Sequence, residues 1–358
     1  MFGQQKALKY LIYYVTSRCN LRCLHCFYTE ELCSREDLSL SEIRRLARGL
    51  YPLVFLRVTG GEPFLRSDLP EVIEAFVNEA GVHRMGMITN GTLTDAIEAK
   101  VKDIFLRCPS LSLDLGVSVD GLSETHDRLR NRAGVYEQCR ATVERLVRVR
   151  EHQPGLQVSI VVTVSSGNVQ ELGDLLDELS TWDADRISPN LVRGRTADSS
   201  VARVSFAEYE DFALKCEAYH HARSRDIRSA VQRAKNILTR EAIRKILTEN
   251  HSPIACAAAS RIGVLYSDGT VSICEPLFHE RSGDSTEKGI DPVLGNVREV
   301  DYDFRTLWES EAAEKARRWI RNTHCRCTHE CFLTASILWD RRRYPRLLME
   351  SLKDMLFR

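Results

Sequence analysis

The sequence predicts an α/β protein: a partial (β/α)6 TIM-like barrel followed by a smaller C-terminal α+β domain. Three observations carry this. Short apolar runs rich in β-branched residues alternate six times with segments of helical period between residues 8 and 195. The fifth run, Val158 to Val164, is nearly continuous valine and isoleucine, as expected of a strand buried on both faces of a parallel sheet. After Gly194 there is no glycine until Gly263, where a cysteine-bearing hairpin pattern begins. Six units fall short of the eight that close a TIM barrel, so the barrel is expected to be open on one side, with the gap admitting substrate.

The first strand is read at Lys9 to Val15, and a cysteine loop follows at its C-terminal end. Leu38 to Leu50 has Ser39 or Ser41 as a cap, and Leu40, Ile43, Leu46, Ala47 and Leu50 recur at three- and four-residue steps. Strand Leu53 to Val58 ends at Gly60-Gly61-Glu62-Pro63, where glycines let backbone approach a small ligand. Helix Leu69 to Ala80 leads to strand Arg84 to Ile88, which ends in the turn Thr89-Asn90-Gly91. Helix Asp95 to Leu106 precedes strand Leu113 to Val119, and helix Tyr136 to Arg150 precedes Val158 to Val164. Helix Gln170 to Leu179 and strand Arg186 to Val192 complete the barrel. The division expected is a barrel over 8–195, a helical connector over 196–253, the cysteine-bearing domain over 254–335 and a C-terminal helix over 336–358. The polar stretch Glu280 to Ile290 is expected to be a mobile loop.

The chain has 358 residues, 50 basic and 50 acidic side chains and a formal net charge of zero, so no global field draws it to nucleic acid or a membrane surface. A nucleic-acid substrate is disfavoured. Met1 to Lys9 lacks a secretory signal and no apolar run approaches membrane-spanning length, which points to the cytoplasm. Twelve cysteines, most of them in one N-terminal and one C-terminal group, then argue for metal ligation over disulfides. Cys33, Cys108, Cys139 and Cys216 stand apart and read as small core residues, any of which could donate a hydrogen atom to a product radical. Arg341 to Arg343 with Arg346 make a local basic patch, read as a solvated helix face or as an anionic-substrate handle.

Cys19, Cys23 and Cys26 are separated by three and then two intervening residues. Three thiolates on one loop suit three irons of a 4Fe-4S cube and leave the fourth without a protein ligand. A zinc site would need a fourth ligand. His25, between two of the cysteines, is not expected to turn inward, and Cys33 remains as a possible closing ligand.

This CxxxCxxC loop, followed in order by Thr59-Gly60-Gly61-Glu62-Pro63, Thr89-Asn90-Gly91 and Ser118-Val119-Asp120-Gly121, resembles the radical S-adenosylmethionine (SAM) superfamily over about the first two hundred residues. The resemblance implies that the open iron is chelated by the amino and carboxylate groups of SAM. Reductive cleavage would then release a 5′-deoxyadenosyl radical that abstracts a hydrogen atom from substrate. It also implies roles for Gly60, Gly61 and Glu62 at the SAM amino group, for Asn90 beside the cofactor, and for Ser118 and Asp120 at the ribose hydroxyls. Leu191 would pack on adenine. Arg130 is a partner for the SAM carboxylate or a surface arginine at a helix start.

Cys256, Gly269 and Cys274 flank an Asp268-Gly269 hairpin signal, and Cys325-Arg326-Cys327-Thr328-His329-Glu330-Cys331 follows. This tail resembles the auxiliary-cluster domain called SPASM, or its shorter Twitch relative, but lacks the cysteines of a second auxiliary cluster. The expectation is one auxiliary 4Fe-4S cluster held by Cys256, Cys274, Cys327 and Cys331, with Cys325 able to replace Cys327, serving electron transfer because no iron stays open.

The function expected is that of a radical SAM enzyme of oxidoreductase type, reduced by a flavodoxin- or ferredoxin-type donor. Its substrate would be a small biosynthetic molecule undergoing oxidation, epimerisation or C–C bond formation. Peptide-modifying relatives often begin with a leader-binding module, and this chain starts almost at its first strand, which tilts the expectation toward a metabolite. Maturation of a ribosomally synthesised peptide is the alternative, and a non-catalytic iron-sulfur or zinc scaffold is the alternative from another class. No catalytic acid, base or hydrogen-atom donor can be assigned.

Overall fold

A computed structural model describes residues 7–223, 227–279 and 289–356. Most of the stretch expected to be a mobile loop, 280–288, lies outside the described residues. The first six strands are β1 (Tyr10–Tyr14), β2 (Phe55–Thr59), β3 (Arg84–Thr89), β4 (Ser112–Ser118), β5 (Leu156–Val164) and β6 (Arg186–Leu191). They pair in parallel, each with the next in sequence. Helices α1 (Leu40–Gly49), α2 (Leu69–Ala80), α3 (Thr94–Arg107), α4 (Ser123–Arg130), α5 (Val135–Arg150) and α6 (Leu172–Ser180) connect them, two of these between β4 and β5. This is the partial (β/α)6 barrel expected, and strand ends differ from the sequence reading by at most about two residues.

Side chains alternate across each strand, so Leu11, Tyr13 and Val15 pack outward under the helices, as the contact of Tyr13 with Phe76 on α2 shows, while Tyr10, Ile12 and Tyr14 face the lumen. α1 starts with a capping box in which Ser39 and Glu42 satisfy each other's backbone N–H groups. Helix α4 was missed by the sequence reading because His126, Asp127 and Arg130 leave it little apolar periodicity. The long helices α7 (Phe206–Arg223) and α8 (Ile227–Glu249) follow the barrel.

The hairpin signalled by Asp268-Gly269 is β7 (Ile262–Leu265) and β8 (Thr270–Ser272). It does not form a sheet of its own. β7 pairs in parallel with β1, and β9 (Val293–Asn296) adds antiparallel to β8, giving one nine-stranded sheet in the order β6-β5-β4-β3-β2-β1-β7-β8-β9. The outer edge of β1 would otherwise expose unpaired backbone groups. Short α9 (Glu275–His279) follows β8; α10 (Phe304–Trp308), α11 (Glu311–Asn322), α12 (Glu330–Trp339) and α13 (Tyr344–Leu356) end the chain. Gly263 on β7 is required by packing, since a Cβ there would stand 2.6 Å from the ring of Trp308. Arg343 and Arg346, from the basic patch, pair with Asp340 and Glu241. Among the described residues no helix is long and apolar enough to cross a membrane.

Glu42 ties the barrel to the C-terminal segment: it accepts from Arg298 Nε at 2.7 Å and from the Tyr302 hydroxyl at 2.8 Å. The Arg298 hydrogen bond, ahead of a smaller opposing effect of burial, holds its carboxyl down at about 2 from an ordinary 4.5. A depressed folded value means that the stabilisation is complete above pH 4.5 and is lost as pH falls toward 2. Glu42→Gln is expected to cost about 1 kcal/mol at neutral pH, since the site is partly solvated, and the gap from wild type should close across that acid window in urea denaturation.

Candidate cofactor site at the mouth of the barrel

β1 ends at Tyr14, and the chain then runs across the C-terminal ends of the strands into the cysteine loop. Asp37 fixes this crossing by accepting from Thr16 Oγ1 (2.6 Å) and from the Ser17 N–H (3.1 Å). The loop after β2 lies directly beneath it, with the Gly61 N–H on Thr16 O at 2.9 Å and the Glu62 N–H on Arg18 O at 2.7 Å. A Cβ at Gly60 would come within 2.4 Å of Thr16 O, and one at Gly61 within 2.1 Å of Arg18 O. The two glycines are therefore required for backbone to lie on backbone under the cysteines.

The three cysteines of this loop are partly buried and close enough that a charge on Cys23 or Cys26 acts on Cys19. Burial pushes the Cys19 thiol up to about 11 and raises Cys23 as well, so each must give up its proton to a metal to become a ligand. Donors surround them: the Leu21 N–H and Asn90 Nδ2 lie 3.5 and 3.9 Å from Cys19 Sγ, and Arg130 Nη1 lies 3.7 Å from Cys23 Sγ. Hydrogen bonds to sulfur are a standard means of tuning an iron-sulfur cluster. Among the described residues no three His, Cys, Asp or Glu side chains converge as they would around one ion. Thiolates of a cubane each bind a different iron, so a cluster does not ask for such convergence; three free cysteines on one loop with N–H donors to sulfur are the donor set it does ask for.

Glu62, 1 % exposed, uses its carboxylate inside the protein. It accepts from the Phe64 N–H (3.1 Å), the Thr89 hydroxyl (2.8 Å) and the Asn90 N–H (2.7 Å), locking the loops after β2 and β3 together. Burial raises it to about 7 against those three donors. Asn90 in turn donates to Asn20 Oδ1 at 2.8 Å, and so joins the β3 end to the cysteine loop. Ser118, at the end of β4, makes no side-chain hydrogen bond among the described residues and stays available to a ligand hydroxyl. Leu191 is buried at the end of β6, its N–H on Glu330 Oε1 at 2.8 Å.

Asp120 and Arg130 are the residues expected at the ribose and the SAM carboxylate. They form a buried ion pair at 2.6 Å, and Asp120 also accepts from the Thr163 N–H at 2.8 Å. Asp120 is fully buried, and although burial opposes it, Arg130 keeps its carboxyl below the usual range. Arg130, at the end of α4, also lies beside Cys23. His25 departs from expectation: it is turned inward, 3.5 Å from Asp120, and burial lowers it to about 4, so it is neutral. Cys108, Cys139 and Cys216 are buried, and Cys33 is exposed.

In the C-terminal group, Cys256, Cys274, Cys325 and Cys327 lie close enough for charge on one to act on another. The Ala258, Leu277 and His329 N–H groups donate to the sulfurs of Cys256, Cys274 and Cys327. Cys331, expected in this group, lies on α12 with hydrogen bonds to Tyr10 and His329. Residues 325–329 are not helical, and Cys331 lies in the first turn of α12, beside Tyr10 and Arg57. His329 Nε2 bonds Glu275 at 2.9 Å, and Arg193 joins Glu275 to Glu330 at 3.4 and 3.3 Å, linking the end of β6 to this segment. The signals for these missed residues were present but weak: Glu275 follows a cysteine, and Arg193 follows the last barrel strand.

Residues 13–179 match the family described as the radical SAM superfamily. The chain is 33% identical over 185 residues to the Fe-coproporphyrin III synthase of Methanosarcina barkeri, covering 49% of this chain and 42% of that one. It is 27% identical over 212 residues to the antilisterial bacteriocin subtilosin biosynthesis protein AlbA of Bacillus subtilis, covering 56% and 45%. The chain thus spans less than half the length of these relatives. Its fold is similar to that of SuiB of Streptococcus suis bound to S-adenosylmethionine, with a TM-score of 0.61 at 16% identity over 87% of this chain and 68% of that one.

Proposed function

We propose that this protein binds a 4Fe-4S cluster through Cys19, Cys23 and Cys26 and cleaves SAM reductively, to abstract a hydrogen atom from a small biosynthetic molecule held in the barrel. The single observation that carries this reading is the glycine-floored crossing that sets three partly buried cysteines over the strand ends. When bound, the cluster and SAM would supply the electron and the 5′-deoxyadenosyl radical. The chain's own residues supply position: Gly60 and Gly61 keep the floor flat, Asn90 and Glu62 hold the loops together, Ser118 offers a hydroxyl and Leu191 an apolar side chain. Asp120 and Arg130 support the loop from below, and no step is assigned to them.

We further read one auxiliary 4Fe-4S cluster at Cys256, Cys274 and Cys327, with Cys325 as the fourth thiolate on the grouping described above. Full ligation suits electron transfer, with a flavodoxin- or ferredoxin-type protein as donor. The similarity to AlbA favours a second reading, maturation of a ribosomally synthesised peptide.

Anaerobically reconstituted protein given SAM and a strong reductant should release 5′-deoxyadenosine and methionine. Replacing Cys19, Cys23 and Cys26 together by alanine should abolish release and remove about half of the iron and sulfide. Release that survives the triple replacement would refute the assignment, and undiminished iron in Cys325→Ser with loss in Cys331→Ser would move the auxiliary ligand to Cys331.

A further inference from the structure

The lower lumen of the barrel holds charges that the cofactor site does not use. Arg57 on β2 points inward: a Cβ on Gly86 of β3 would stand 2.6 Å from its Nη1, so the glycine makes room for the guanidinium. Across the lumen Arg186 on β6 pairs with Asp114 on β4, which also accepts from the Ser159 hydroxyl. Lys235 on α8 faces the same space, near enough to both arginines for their charges to act on it. Protein surrounds Arg57, Asp114 and Lys235, yet none is fully buried by area, as expected of groups that face an internal space.

The donors outnumber the acceptors. Two guanidinium groups and Lys235 share one carboxylate, and burial together with the charges of Arg186 and Arg57 pushes Lys235 down to about 7. No side-chain hydrogen bond of Lys235 is formed among the described residues, and the buried Nε atoms of Arg57 and Arg186 have no partner. Guanidinium donors left unfilled in low dielectric are costly unless an anion completes them.

We propose that Arg57, Arg186 and Lys235 clamp an anionic group of the substrate, a carboxylate or a phosphate, at the bottom of the lumen. This rests on the radical SAM reading above. Guanidinium forks and an ammonium from three directions suit an oxyanion. Arg57 and Gly61 on one side, and Arg186 and Asn190 on the other, are four residues apart, about 13 Å along a strand. A molecule held by its anionic end would therefore present to the strand ends a carbon about that far away, which selects substrates of roughly that length.

The test uses the full reconstituted chain with SAM and two probes, inorganic phosphate and malonate, followed by calorimetry and thermal shift. Wild type should bind at least one probe saturably, and the tighter of the two names the head group. Lys235→Met and Arg57→Gln should each weaken that binding about tenfold or more, while Lys235→Arg keeps it. No saturable binding by wild type, or equal affinity in folded Lys235→Met, would overturn the proposal. Substrate-free SAM cleavage on the same samples separates the two readings: its loss with anion binding retained indicts the radical SAM assignment, and the converse indicts the clamp.

Discussion

Alanine at position 61 is expected to empty the N-terminal cysteine loop of its cluster while leaving the rest of the fold in place. The added carbon would meet Arg18 O at 2.1 Å, Arg18 C at 2.5 Å and the Cys19 Cβ at 3.0 Å. The first two are backbone atoms of the loop that carries the ligands, so relief requires the cysteine loop to lift off the β2 end. The Gly61 and Glu62 N–H bonds to Thr16 O and Arg18 O would break with it. We expect a loss of about 3 kcal/mol in denaturant unfolding of the cluster-free protein, iron reduced by about one cubane after reconstitution, and no 5′-deoxyadenosine. Gly134→Ala is the control: its φ is +79°, but nothing lies within 4 Å of the new carbon, so only the backbone cost of about 1 kcal/mol should appear. Normal iron loading by Gly61→Ala would show that the floor is not required.

The second large effect is expected at Arg130. Replacing it by methionine leaves the fully buried Asp120 carboxylate without its cation, and breaking a buried pair from one side typically costs about 3–5 kcal/mol. In wild type Asp120 is held below its usual range, so its stabilising contribution is present at neutral pH and lost only in acid. Without Arg130, burial would raise the folded value above the unfolded one. The variant's stability would then fall as pH rises through the unfolded range, and its gap from wild type should narrow on acidification. Urea titrations at several pH values measure this directly. Adding Asp120→Asn to Arg130→Met should recover part of the loss, because the stranded charge is gone. If Arg130 instead only bound the SAM carboxylate, its removal would weaken SAM binding and leave stability unchanged.

Much of the architecture was legible because it rests on local patterns. Six alternations of apolar run and helical period specify parallel β/α units whatever surrounds them, and the Asp-Gly pair specifies a hairpin by its turn conformation alone. The sequence reading nevertheless missed α4, whose last turn carries charge for partners far away in the chain. It also could not see that β7 would pair with β1, because sheet order depends on which strand edge is left open. Arg57, in the middle of Phe55-Leu56-Arg57-Val58, and Asp114, between Leu113 and Leu115, were visible as charges in apolar strands, and their place in the lumen follows from two-residue alternation. That they share the space with Lys235 does not follow from any pattern.

The amino-acid order by itself determined the kind of chemistry: thiolates at ligand spacing on a strand end, glycines where backbone must lie close, and the succession of parallel units. Tertiary structure alone decided which polar groups are already engaged. Asp120 and Arg130 neutralise each other, Glu62 holds three internal donors, His25 turns inward, and Cys331 bonds Tyr10 and His329. The physical reason is that a buried charge or donor must find its complement, and that complement is chosen by proximity in the folded chain, to which spacing along the sequence is blind.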